Sequence, residues 1–136
     1  MKVATILLFA ALFSATVFGQ SANSAKEVLG DWEGESLCTI KDSPCRDEHV
    51  IYHIKPDATD LQKLDVSANK VVKGEELYMG SLTCEFNAAA HELHCQYKPT
   101  DHWDFQISGD TMTGTLIISD DKLYRRVSVK RVRQKN

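Results

Sequence analysis

Outside residues 3–19 the chain has no apolar run long enough to cross a membrane, and that one run is itself short for a span. Cys-x-x-Cys pairs are absent, and so is a glycine-rich phosphate loop, the 7 glycines being scattered over turns and strand positions. There is no internal repeat and no low-complexity linker. Proline is scarce, with 3 residues, and each of Pro44, Pro56 and Pro99 falls in a turn signal. These absences exclude finger-type metal modules, nucleotide-cradling loops and repeat architectures. Acid is missing from one end: residues 122–136 hold seven Lys or Arg and no Asp or Glu.

What is present fits one domain, since the chain has 136 residues, 43% hydrophobic and 26% charged. Met1-Lys2 precedes an uncharged stretch, Val3 to Gly19, with the form of a secretory signal. Val17 and Gly19 suit cleavage before Gln20, with Ala22 and Ala25 marking later possible sites. No Cys lies at this junction, which argues against a bacterial lipid anchor. The expectation is a signal peptide over 1–19 and a single domain over 20–136, secreted or periplasmic, with no membrane attachment after cleavage. Loss of Lys2 would leave 15 basic against 19 acidic side chains. An exported, net acidic domain is a poor nucleic-acid binder, so the basic end reads as a strand whose outer face meets acidic neighbours.

Four cysteines, Cys38, Cys45, Cys84 and Cys95, in a small exported domain read as two disulfides. Three pairings are possible. The local one, Cys38–Cys45 with Cys84–Cys95, is favoured because each pair brackets a short turn-rich loop, each closure worth roughly 2.5–3 kcal/mol. His91 and His94 beside Cys95 raise a metal site as rival, but the spacing is wrong and export opposes free thiolates.

From Asp31 onward short segments alternate with period two between turn signals. They predict strands over 31–38, 48–55, 61–67, 77–86, 92–98, 102–108, 111–119 and 123–133, with 69–73 ambiguous and one helical turn over 24–29. The predicted dry face carries Val50, Tyr52, Ile54, Tyr78, Leu82, Cys84 and Phe86. It continues through Leu93, Cys95, Tyr97, Trp103, Phe105, Ile107, Met112, Leu116 and Ile118. The wet face carries His49, His53, His94, His102 and Asp104. An immunoglobulin sandwich fails, for no Trp lies between Cys38 and Cys95 and position 93 is Leu. The fold expected is all-β, an eight-stranded antiparallel up-and-down barrel. Its closure would bring Trp32 at the start of the first strand to Arg131 at the end of the last, the guanidinium covering the indole. Outside, Asp31, Glu33 and Glu35 would lie beside Arg126 and Lys130.

Gly30-Asp31-Trp32 after a single helical turn resembles the Gly-x-Trp opening of lipocalins and the wider calycin superfamily. In those proteins a basic residue of the last strand covers the Trp, the role that falls here to Arg131. The resemblance implies a compact barrel that binds a small hydrophobic ligand.

The histidines do not assemble a catalyst. His49 and His53 stand about 13 Å apart along one strand, too far for one metal. Asp101, His102 and Asp104 lack a placed nucleophile. No enzyme activity, cofactor or metal is therefore expected. Tyr52, Tyr78, Tyr97, Trp103, Phe105 and Met112 would line the interior, either filling it or holding a ligand. Two functions follow: a non-catalytic carrier of a small hydrophobic molecule, or an interaction module or enzyme inhibitor acting on a protein partner through the stiffened Cys38–Cys45 loop.

Overall fold

A computed structural model describes residues 25–134. A 3-10 turn, Ala25–Glu27, leads into eight strands: β1 Gly30–Cys38, β2 Glu48–Pro56, β3 Leu64–Val72, β4 Glu75–Asn87, β5 Glu92–Gln96, β6 His102–Ser108, β7 Thr111–Ile118 and β8 Lys122–Arg131. They form a closed barrel in sequence order, every neighbour antiparallel, with β8 returning to β1. The expected signal peptide falls outside the described residues.

Period-two alternation produces this closure, because each strand turns one apolar row inward and the barrel buries all rows against each other. Buried residues run through Trp32, Val50, Tyr52, Ile54, Val66, Cys84, Leu93, Cys95, Phe105, Met112, Val127 and Val129. Each fully buried large aliphatic side chain contributes roughly 1.5–3 kcal/mol. Both disulfides take the local pairing, Cys38–Cys45 and Cys84–Cys95. Cys84 and Cys95 stand directly opposite each other on β4 and β5, as their shared face requires.

The two ends of the barrel differ. At one end the N-terminal turn tucks beneath the strands, with Val28 buried and its carbonyl accepting from the Trp32 indole N–H at 2.8 Å. Trp32 pairs with Arg131 across the β1–β8 seam, and the guanidinium lies 4.3 Å from the indole. Arg131 also donates to the carbonyls of Leu29, at 2.7 Å, and Glu27. This end is closed. The opposite end carries the 39–47 loop and the β3–β4, β5–β6 and β7–β8 turns.

Two expectations need correction and a third needs refinement. The strand expected over 61–67 lies at Leu64–Val72, taking in the ambiguous 69–73 stretch, while Lys63 and Asp60 close a turn by a 2.9 Å backbone bond. Tyr78 does not face inward. The β3–β4 register slips between Ala68 and Asn69, so Ala68 opposes Gly80 while Asn69 opposes Tyr78. Met79 is the extra residue of this bulge, and one extra residue reverses the facing of everything before it. Tyr78 is accordingly 68% exposed. Last, the acids of β1 do lie beside the basic strand, Glu33 opposite Lys130 across the β1–β8 seam, but their ion pairs run to histidines of β2: Glu33 and Glu35 hold His49, and Asp31 holds His53. The basic end finds other acids, Arg125 meeting Glu48 while Arg131 and Arg133 meet Asp110.

Candidate functional site

An interior cavity of about 310 Å³ occupies the open half of the barrel. Its size is at the low end for small-molecule sites. β6 supplies Trp103 and Phe105, two residues apart on one face and stacked with 4° between their planes. From β2, Tyr52 meets Phe105 edge-on, the ring centroids 5.7 Å apart. Val50, Val66, Leu82 and Leu116 extend the apolar wall, and Tyr97 stands at the rim. Of the six residues predicted to line the interior, Tyr52, Tyr97, Trp103 and Phe105 do so. Tyr78 is outside, for the bulge described above. Met112 is buried elsewhere, opposite Ile107 and Val129 near the closed end.

The wall formed by β8, β1 and β2 is polar. Arg125 points inward and donates to the Ser36 carbonyl and hydroxyl at 3.2 and 3.1 Å, and to the Arg46 carbonyl at 2.9 Å. Glu48 lies 3.4 Å from Arg125 and 3.8 Å from Lys70. Burial pushes the Tyr52 phenol well above its ordinary pKa, with Arg125 and a hydrogen bond from Ser36 opposing and Glu48 adding to the rise. Tyr52 therefore stays a neutral donor. The cavity has an apolar side at β4–β6 and a polar side whose cation is already engaged by protein acceptors.

Sequence reading missed Arg125, Glu48 and Ser36. A signal was available: Arg125 is in step with Val127 and Val129, and Glu48 with Val50 and Tyr52, so both charges fall in inward rows. A pair of opposite charges at inward positions near one barrel end marks a polar wall.

A second, larger depression of about 800 Å³ lies on the outer surface, bordered by Glu35, His94, Asp104, Thr113, Thr115, Arg126 and Ser128. Its residues are mostly outward-facing and water-exposed, so size alone does not make it the better site. His94 and His102 both approach Asp104, at 2.6 and 3.2 Å. Among the described residues no three His, Cys, Asp or Glu are grouped to hold a metal ion. No helix among them is long and apolar enough to cross a membrane. No protein family, no curated protein and no solved structure matches this chain.

Proposed function

We propose that this domain is an exported, lipocalin-like binding protein that carries a small hydrophobic molecule in its open-ended cavity without covalent chemistry. The observation that carries the reading is the 310 Å³ interior space between the Trp103–Phe105 stack and Arg125. Support for the lipocalin-like part comes from Gly30-Asp31-Trp32 and from the Arg131 cover over Trp32. Support for a secreted or periplasmic setting comes from the two disulfides, which persist in oxidising compartments. The polar wall favours a ligand with a neutral hydroxyl or amide at one end over a free carboxylate. Arg125 already donates to Ser36 and Arg46 and is paired with Glu48, so a carboxylate would have to displace one of them.

The test is a native mass spectrum of protein purified gently from its source, set against its denatured spectrum, with a lipophilic fluorescent dye titrated in parallel. Excess native mass lost on denaturation, or saturable dye binding that Trp103→Ala weakens at least tenfold, supports the carrier. A bare native mass together with no dye binding sinks it.

One observation favours a protein-binding use of the 39–47 loop. It is exposed at Lys41, Asp42 and Asp47 yet fixed at both ends, by Cys38–Cys45 and by bonds from Thr39 to the Tyr124 and Leu123 carbonyls at 3.1 and 2.7 Å. A pre-ordered loop loses little entropy on binding. Unchanged binding of every partner after Cys38→Ser with Cys45→Ser would end that reading.

A further inference from the structure

Strand β4 has a neighbour on both sides over only part of its length. β3 runs beside it from Glu75 to Cys84, whereas β5 meets it only where Cys84, Glu85, Phe86 and Asn87 oppose Cys95, His94, Leu93 and Glu92. The cause lies just after β5. Pro99 forces a turn, and the Tyr97 and Lys98 amides both donate to the Asp101 carbonyl, at 2.9 and 3.1 Å, on the side away from β4. No strand among the described residues pairs with the β5-facing edge of residues 75–82.

The interior cavity emerges at this edge. Met79, Gly80, Ser81 and Leu82 all line it. Past the bulge at Met79, Gly80 and Leu82 face inward and Ser81 faces outward, so a space lined by all three passes around the strand. Backbone groups are presented there too. Cys84 and Cys95, with Cα atoms 4.2 Å apart, form a non-hydrogen-bonded pair. That parity turns the Ser81 amide toward the gap.

The edge is apolar and flanked by acid. No charge occurs from Leu77 to Cys84, and Leu77, Tyr78 and Met79 are exposed. Sheet edges are usually blunted by lysine, proline or an inward charge, none of which stands in this stretch. Glu75 bounds it on one side and Glu85 on the other, with Lys63 3.8 Å from Glu85, while Glu76 is turned to His53 and Asn69. Lys98, across the gap, is turned to Asp101 at 3.9 Å and lies over the Tyr97 ring.

We propose that the β4 edge from Leu77 to Leu82 accepts an extended segment of a partner protein as an added strand. An apolar side chain of that segment enters the cavity beside Tyr97, and basic residues at its ends face Glu75 and Glu85. This is strand addition, in which main-chain bonds give affinity and alternate side-chain pockets give selectivity. A second copy of the chain is the poorer occupant. Antiparallel self-pairing that overlays the two uncharged stretches sets Glu76 against Glu85 at both ends, a like-charge clash. The site goes beyond small-molecule carriage, since it needs the lateral opening and not a free ligand.

The probe is a synthetic nine-residue peptide alternating valine and threonine, with a central leucine and lysine at each end, titrated into the full chain. Calorimetry would measure affinity, and amide NMR would locate the contact. The expected result is one-to-one binding with shifts concentrated at Leu77–Leu82. N-methylation of alternate peptide amides should weaken it at least tenfold, and replacing the lysines by glutamate several-fold. Absence of binding, equal affinity of the N-methylated peptide, or shifts centred on another surface would overturn the proposal. So would peptide-free dimerisation through β4. The dye titration reads the cavity alone, so failure of strand addition and failure of the carrier reading are separable.

Discussion

The guanidinium of Arg131 lies over the Trp32 indole at 4.3 Å, while the indole N–H is bound to the Val28 carbonyl at 2.8 Å. The two residues come from opposite ends of the chain, and their contact is the point at which the sheet becomes a barrel. Arg131 also occupies the Leu29 and Glu27 carbonyls, so one side chain ties the last strand, the first strand and the N-terminal turn. A cation over an aromatic face contributes about 0.5–2 kcal/mol, and losing a charged donor leaves part-buried carbonyls unpaired. Arg131→Met should therefore cost about 2–3 kcal/mol in urea unfolding, and Arg131→Lys clearly less. Equal stability of Arg131→Met and the parent chain would remove this contact from the account of closure.

The two disulfides should respond differently to reductant. Cys84 and Cys95 are wholly buried, whereas Cys38 and Cys45 are half-buried at the open end. Thiolate access controls exchange, so mild reduction of the folded protein should open Cys38–Cys45 first. Timed alkylation with mass mapping reads the order. Simultaneous loss of both bridges would show that the core opens as readily as the loop.

Gly34 is irreplaceable for a geometric reason. A Cβ there would stand 2.2 Å from the Ser128 carbonyl oxygen and 2.9 Å from the Val129 Cα, both backbone atoms of the adjoining strand. At Gly114 the first obstacle is the Phe105 ring, at 2.3 Å, a side chain that borders the cavity and has somewhere to move. Overpacking costs about 1–3 kcal/mol where neighbours can yield and more where they cannot. Gly34→Ala should be the more damaging of the two, at about 3 kcal/mol or above. The reverse order in thermal or urea unfolding would contradict this picture of the β1–β8 contact.

Most of the fold was legible because alternation is a direct consequence of a one-sided strand. Val50-Ile51-Tyr52 or Trp103-Asp104-Phe105 declares its facing without help from the rest of the chain. The Trp32–Arg131 contact followed by counting inward positions from both ends. Tyr78 was not legible, because the Met79 bulge is set by how β4 curves against β3 and leaves no mark in the alternation itself. The extent of β3 was obscured for a related reason: Ser67, Asn69 and Lys70 sit where one face is wet and the inward row approaches the open end. The polar wall was readable yet unread, since Arg125 and Glu48 each look like an ordinary surface charge until placed in register with Val127 and Val50.

On the outer face the histidines make a stronger claim than exposure alone suggests. His49 has Glu33 2.8 Å from Nε2 and Glu35 2.6 Å from Nδ1, while His53 has Asp31 and Glu76 each at 2.8 Å. A carboxylate only accepts, so both contacts of each ring are hydrogen bonds only while that ring carries two protons. Hydrogen bonds to Glu33 and then Glu35 raise the His49 pKa above its ordinary 6.5, and the bond to Asp31 does the same for His53 against partial burial. A folded pKa above the unfolded one stabilises fully below about 6.5 and is lost as pH rises through the raised value. Glu76 works in the opposite sense. Its carboxyl is held below 4.5 by Asn69 and His53, so its contribution is lost as pH falls through that lowered value. These groups together predict greatest stability between about pH 4.5 and 6.5, with melting temperature declining on the alkaline side. The pairs are more than a third exposed, so the decline is modest and shrinks in high salt. Replacing His49 and His53 together by glutamine should flatten the alkaline limb and weaken the acid limb without abolishing it, since Asn69 still holds Glu76. A melting profile whose alkaline slope survives that double change would assign the slope to other groups and reduce the two histidines to solvated surface residues.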